Sequence, residues 1–339
     1  MNTELIRIPA EWEPHQCCWM SWAVHREWGS YSDAVKRELR KVILTIANYE
    51  PVMLLTPPDL ASEATAQFAG KNVEIVPAPV SDVWMRDIMP TFAFRGSAAL
   101  LIGWNFNGWG STATRPARAG DRLVGFISTL TRIPVMTAPF VCEGGAIITD
   151  GRGTVLTTKS CLLTRNRNRT LDMKEIEGGF AKLGARQLIW LDGDPEEPIT
   201  SGHPDGYVLF SNSGTILVEA VHPLHKNGRN REQDIRMLEQ IKDVDGREPL
   251  LKLVLAPRQR YWRYSGRFFA PCYLNGYVTN GALLAGRFGD PERDELARLA
   301  LKDAFPGMEI HMLEIDHIAA GGGGIRCLTQ PQIEPRSSL

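Results

Sequence analysis

An α/β fold is predicted from two features of this 339-residue sequence. Segments with helical spacing alternate with short apolar runs of strand length, and the alternation returns several times along the chain. Residues 33–49, DAVKRELRKVILTIANY, carry apolar positions at helical spacing behind Asp33, which reads as an N-cap. PVMLL then reads as a buried strand, SEATAQFAG as a short helix ended by Gly70, and NVEIVPAPV as an alternating strand. Further on, NREQDIRMLEQIKD precedes LLKLVLAP. PERDELARLALKDAF, with Pro291 at the first helical position, precedes MEIHMLEI. Strand-like pieces fill the remainder: PTFAF, AALLIGW, GAIITD, TVLTT, YVLF, TILVEA and YVTNGALLAG. The strand-and-helix units share no clean sequence period. No low-complexity linker divides the chain, so residues 1–339 read as one continuous domain.

Composition narrows the function. A formal net charge of −1 argues against a nucleic-acid or anionic-membrane partner held by bulk electrostatics. Apolar runs such as KVILTIA are far short of a membrane span, and MNTELIRIPAEWEP does not read as a signal peptide. The six cysteines, Cys17, Cys18, Cys142, Cys161, Cys272 and Cys327, lack zinc-site spacing, and a chain of this length needs no disulfide staples. The reading is a reduced cytoplasmic protein. The sequence does not fix the oligomeric state, and a homodimer is compatible with it.

The unusual residues cluster beside strands, where a rigid scaffold positions loops that carry chemistry. VSDVWMRDIMPTF places Trp84, Arg86 and Asp87 after a strand; FVCEGGAIITD places Glu143 and two glycines at the start of one; ITSGHPDGYVLF places His203 and Asp205 just before another. Each has an ordinary explanation: a surface Arg86–Asp87 pair, a carboxylate leading into a strand, a turn histidine among Gly, Pro and Asp. Cysteine alone is a weak signal, because free cysteine is often a small buried hydrophobe. Cys142, Cys161 and Cys272 fit that description. Cys327 follows Gly321–Gly324 and Arg326, and a neighbouring cation would favour its thiolate. The glycine run is a poor phosphate loop, because no helix-forming sequence follows it. His15, His25, His222, His225, His311 and His317 show no comparable setting and read as surface or loop residues; HPLH has no further ligands near enough for a metal site.

Together, in order, W-x-R-D, E-G-G, G-H-x-D and G-G-G-x-I-x-C resemble the agmatine deiminase and bacterial-type peptidyl-arginine deiminase branch of the guanidine-modifying enzymes. The likeness runs from IPAEWEPHQCCWMSW to GIRCLTQPQ and includes WNFNGWG, TVLTTKSCLLTRNRN and YLNGYVTNGALLAGRFGD. It implies a five-bladed α/β propeller of pseudo-repeated ββαβ units around a central active-site channel. The implied reaction is hydrolysis of a small guanidinium substrate, agmatine or a close analogue, to a ureido product and ammonia, with no metal or organic cofactor. A planar, resonance-stabilised cation requires carboxylates to hold its nitrogens, a strong nucleophile and a proton source. Asp87 and Asp205 would clamp it, Cys327 would attack through an S-alkylthiouronium, and His203 would act as acid and then base. The resemblance implies that Glu143 orients His203. Trp84, Trp109, Tyr273, Arg326, Gly322 and Gly323 are the further substrate-side candidates; Trp12 is as readily explained by core packing.

Three positions depart from the agmatine enzymes' usual pattern: Ser201 for Asp or Asn, Gly324 for Asn, and Arg326 for His. They spare the five central residues but bear on which guanidine is used. An amidinotransferase, in which an amine resolves the same intermediate, stays open, as does a guanidine-binding protein without turnover. A cysteine peptidase fits less well, because an acidic pair suits a cation better than a neutral amide.

Overall fold

In the computed structural model, which describes residues 5–24, 26–110, 115–221, 228–261, 263–264, 266 and 268–335, the strands form five separate sheets. Four share one plan: an antiparallel pair, a helix, and a third strand parallel to the second. Thr91–Arg95 and Ala98–Gly103 pair antiparallel, and Val135–Thr137 joins in parallel after helix Arg115–Thr131. Ile148–Thr149, Thr154–Thr158 and Gln187–Leu191 repeat this around helix Met173–Lys182. Val208–Phe210, Thr215–Ala220 and Leu250–Leu255 do so around Gly228–Leu238, and Tyr277–Val278, Ala282–Arg287 and Glu309–Glu314 around Pro291–Ala304. A parallel neighbour requires a crossover, and each helix supplies one.

The fifth sheet is made by both ends of the chain. His15–Ser21 runs parallel to Val52–Thr56, which runs parallel to Val73–Pro77; its antiparallel partner is Gln330–Ile333, with Gln330 opposite Trp19. Five ββαβ units with unequal helices and loops are the blades expected of the family fold, and that inequality hides the repeat from a search for a period. Helix Ser32–Ile46 shows what holds a unit together: Leu39, Val42, Ile43 and Ile46 line one face and are essentially inaccessible. Each such side chain contributes roughly 1.5–3 kcal/mol of burial.

Two local expectations change. Asp33 does not cap its helix; Tyr31 occupies that position without a side-chain hydrogen bond, and Asp33 lies in the first turn, where its charge favours the helix dipole. Helix Met173–Lys182 escaped the reading although its start carries a reciprocal Asp172–Glu175 capping box. No helix among the described residues is long and apolar enough to cross a membrane.

The topology also places the chemistry. Each unit's first strand is preceded by a short segment, in four of them containing a single helical turn, and the singled-out residues sit there. Asp87 precedes Thr91–Arg95, Glu143 precedes Ile148–Thr149, His203 and Asp205 precede Val208–Phe210, and Cys327 precedes Gln330–Ile333. The remaining unit offers Asn275, just before Tyr277–Val278.

Candidate active site

Five segments distant in sequence converge on a buried group of charges. His203 Nε2 lies 2.8 Å from Glu143 Oε1, and Arg167 donates to the same oxygen through Nε at 2.9 Å and a terminal nitrogen at 2.5 Å. Burial alone would raise the Glu143 carboxyl, but Arg167 and His203 outweigh it and hold it down at about 2. His203 moves the other way: burial would lower it, yet Asp87, Cys161 and Glu143 push it well above the usual histidine range, which favours the protonated ring. The Thr200 hydroxyl accepts from the backbone N–H of Gly202 and of His203, fixing the turn. Ser201 in that turn has φ 63°, a left-handed conformation that Asn or Asp adopts more readily.

Asp87 accepts from the Trp109 indole at Oδ2 and from the Gly145 N–H at Oδ1, both at 2.8 Å. Burial raises its carboxyl against the pull of His203. Gly145 is required here: a Cβ at that position would lie 2.5 Å from His203 Nδ1 and 2.7 Å from Asp87 Oδ1. Trp109 itself sits at φ 57°, a conformation retained only where the surroundings hold it.

Asp205 stands between the imidazole and the thiol. Its Oδ1 is 3.9 Å from His203 Nδ1, and its Oδ2 accepts from Cys327 Sγ at 3.9 Å. Oδ2 also takes a 2.7 Å bond from Arg326, whose other nitrogens engage Glu11. Glu11 binds Arg86 as well, and the two guanidinium ions hold its carboxyl down despite burial. Arg326 therefore braces Asp205 and leaves Oδ1 as the less engaged oxygen. Its charge does not promote a Cys327 thiolate as expected. The thiol is raised well above its usual range, by burial first and then by Asp205 and Asp87.

The glycine run fits its surroundings by lacking side chains. A Cβ on Gly323 would meet Trp84 at 2.6 Å, one on Gly322 would meet Ile199 at 2.1 Å, and Gly322 has φ 98°. Trp84, Trp109, Gly322 and Gly323 thus border the Cys327 loop or Asp87. Tyr273 does not: it is fully buried, and its hydroxyl donates to Asp294 at 2.7 Å, so it belongs to the core. Trp12 packs against the core clusters. His15 is not a surface residue but is buried against Glu50, and His25, His222 and His225 lie outside the described residues. Arg167, Glu11 and Asn275 were not singled out from sequence. An arginine in RNRN and a glutamate in PAEWEP carry no local sign of burial.

Glu143, Cys161 and His203 offer ligand atoms within 4.8 Å of one another. Arg167 already binds the Glu143 oxygen that a metal would need, and its positive charge opposes a second cation.

The description of Porphyromonas-type peptidyl-arginine deiminases matches residues 7–332. The chain belongs to that family. Within the family it is 34% identical over 330 residues to a Legionella pneumophila (strain Paris) protein provisionally named an agmatine deiminase, covering 96% of this chain and 94% of that one. It is 31% identical to the agmatine deiminase of Pseudomonas aeruginosa (strain LESB58), covering 98% and 97%. The structure of Enterococcus faecalis agmatine deiminase superposes with a TM-score of 0.90 at 24% identity, covering 97% of this chain and 96% of that one; this establishes a shared fold. Family membership makes this chain an enzyme acting on guanidino groups.

Proposed function

We propose that the chain hydrolyses a small alkylguanidine, agmatine or a close analogue, to the ureido compound and ammonia, using Cys327 as nucleophile. Asp87 and Asp205 Oδ1 hold the guanidinium nitrogens by charge-assisted hydrogen bonds. The incoming cation offsets the two negative charges that raise the Cys327 thiol, and the thiol proton leaves to solvent. The thiolate adds to the guanidinium carbon to give a neutral tetrahedral adduct. Protonated His203 donates to one NH2, which departs as ammonia, leaving the cationic S-alkylthiouronium. Now neutral, His203 takes a proton from water, which adds to the same carbon. Expulsion of the thiolate and loss of the hydroxyl proton release the ureido product. Glu143, itself braced by Arg167, orients the imidazole throughout. The names of the curated relatives support agmatine as the first substrate to test.

The observation that carries this reading is the shared Asp205 carboxylate, with the sulfur and the imidazole each 3.9 Å from one of its oxygens. Cys161 is the competing sulfur, 3.9 Å from Glu143 Oε1. It is fully buried and shares that oxygen with His203 and Arg167, whereas Cys327 is the sulfur that bonds Asp205. Because the site draws on segments from Glu11 to Cys327, we take the whole chain as one functional unit.

The deciding experiment is mass spectrometry of the protein quenched during exposure to a panel of guanidines, with ammonia and product assayed in parallel. The expected result is an amidino adduct on Cys327, with ammonia and a ureido product released. An adduct on Cys161, or on no cysteine, defeats the assignment. A new guanidine formed when an amine is added would identify a transferase instead.

A further inference from the structure

Four of the five units place a residue of the proposed mechanism in the segment before their first strand, and the fifth places Asn275 there. We propose that Asn275 is a positioning residue that fixes the Cys327 loop against the Asp205 turn and so sets where the sulfur stands relative to that carboxylate. The inference rests on Cys327 being the nucleophile.

Three bonds and one close fit carry it. The Asn275 backbone carbonyl accepts from Arg326 N–H at 3.1 Å. Its side-chain Oδ1 accepts from Cys327 N–H at 3.2 Å, and its Nδ2 donates to the Asp205 backbone carbonyl at 3.1 Å. One buried side chain, 4% exposed, therefore ties the backbone of the sulfur-bearing residue to that of the carboxylate the sulfur faces. The amide also needs Gly324 to be bare: a Cβ there would lie 2.7 Å from Asn275 Oδ1 and 2.9 Å from its Cβ. The last glycine of the run thus makes room for this side chain, a role distinct from Gly323 against Trp84. Against the burial and carboxylate charges that raise the Cys327 thiol, the Asn275 amide and the Gly324 N–H are the groups that favour the anion. The carboxylate of Asn275→Asp would lose the donor and add a like charge.

The test compares Asn275→Ala and Asn275→Asp with the parent full-length protein in two assays: steady-state turnover of agmatine, and the pH dependence of Cys327 alkylation by iodoacetamide, which is neutral. The expected result is a fall in kcat of about 100-fold for Asn275→Ala with KM changed much less, and an alkylation midpoint moved upward in pH for both variants, further for Asn275→Asp. Should the alanine variant fail to fold, the isosteric aspartate carries the test. Parent-like alkylation profiles, or a KM increase with kcat preserved, overturn the inference. If a Cys327→Ala variant turns over normally, the reading beneath it fails instead, and the two failures are distinguished.

Discussion

Among the described residues stand two buried histidine–carboxylate pairs, and only one of them faces the candidate site. His15 Nδ1 meets Glu50 at 3.0 Å while its Nε2 meets the Glu11 carbonyl at 2.8 Å; the Tyr277 hydroxyl and Asn280 N–H complete the Glu50 carboxylate. Both ring nitrogens are bonded, and the group ties the start of one strand, His15–Ser21, to the turn after Tyr277–Val278. His203 meets Glu143 more closely, at 2.8 Å, but among the described residues its Nδ1 has a carboxylate oxygen only at 3.9 Å. The difference is one uncommitted nitrogen directed at Asp205 and Asp87. A saturated pair locks a fold; an unsaturated one can move a proton. Around it stand the Asp87 and Asp205 carboxylates, whereas the His15 group is complete.

Breaking the reactive side should produce the largest effects. Cys327→Ala is expected to lower turnover by about 10⁴-fold or more with folding retained, because no other group supplies the covalent step. Ammonia release measured against the parent checks this, and residual activity above that level would shift attention to Cys161. Asp87→Asn should lower kcat/KM by about 10³-fold. The same substitution removes a charge that raises the Cys327 thiol. Its alkylation by iodoacetamide should therefore move to lower pH even as turnover fails. That pairing of opposite shifts separates loss of the clamp from general damage.

Exchanging the two histidines sharpens the comparison. His203→Asn should reduce kcat by about 10²- to 10³-fold through loss of the acid–base group, with the urea midpoint little moved. His15→Phe should do the reverse, removing a partner from buried Glu50 at about 4 kcal/mol of stability while kcat of the folded fraction persists. If both variants lose stability equally, or both lose kcat equally, the distinction between the pairs is wrong.

The sequence made some of this legible and concealed the rest for physical reasons. Asp87, Glu143, His203 and Cys327 stand out because each lies within three residues of a Gly, Pro or aromatic near a strand boundary, and one-dimensional context records that. His15 shows nothing, since its partner Glu50 is 35 positions away. Arg167, in a run of arginines, looks like a solvated surface until its carboxylate is placed beside it. Arg326 illustrates the opposite error. Its position next to Cys327 implied a charge acting on the sulfur, but a side chain acts where it points, and this one points at Glu11 and Asp205. Many helices and strands followed from local periodicity, though helices Arg115–Thr131 and Met173–Lys182 did not, whereas the pairing of Gln330–Ile333 with His15–Ser21 joins residues at opposite ends of the chain, which no local window can contain.

A third buried carboxylate extends the contrast to a group with neither an imidazole nor an ion-pair partner among the described residues. Glu219 accepts from the Tyr273 N–H at 2.9 Å, and burial pushes its carboxyl up from 4.5 to about 7. Glu143, paired with Arg167 and His203, is held down at about 2. The two must give opposite slopes of stability with pH. Glu143 contributes stability above its unfolded value of 4.5 that is lost as pH falls toward 2. For Glu219 the folded state retains the proton longer, so stability falls as pH rises from 4.5 to about 7 and stays reduced above that. A shift of this size corresponds to about 3 kcal/mol. Glu219→Gln keeps an acceptor for Tyr273 without a charge to bury, so it should be close to neutral at pH 4.5 and stabilising by up to about 3 kcal/mol at pH 8. Urea unfolding of parent and variant at both pH values measures the difference. A variant equally or less stable than the parent at pH 8 would mean that the folded protein accommodates an ionised Glu219, and that an isolated buried carboxylate here needs no partner.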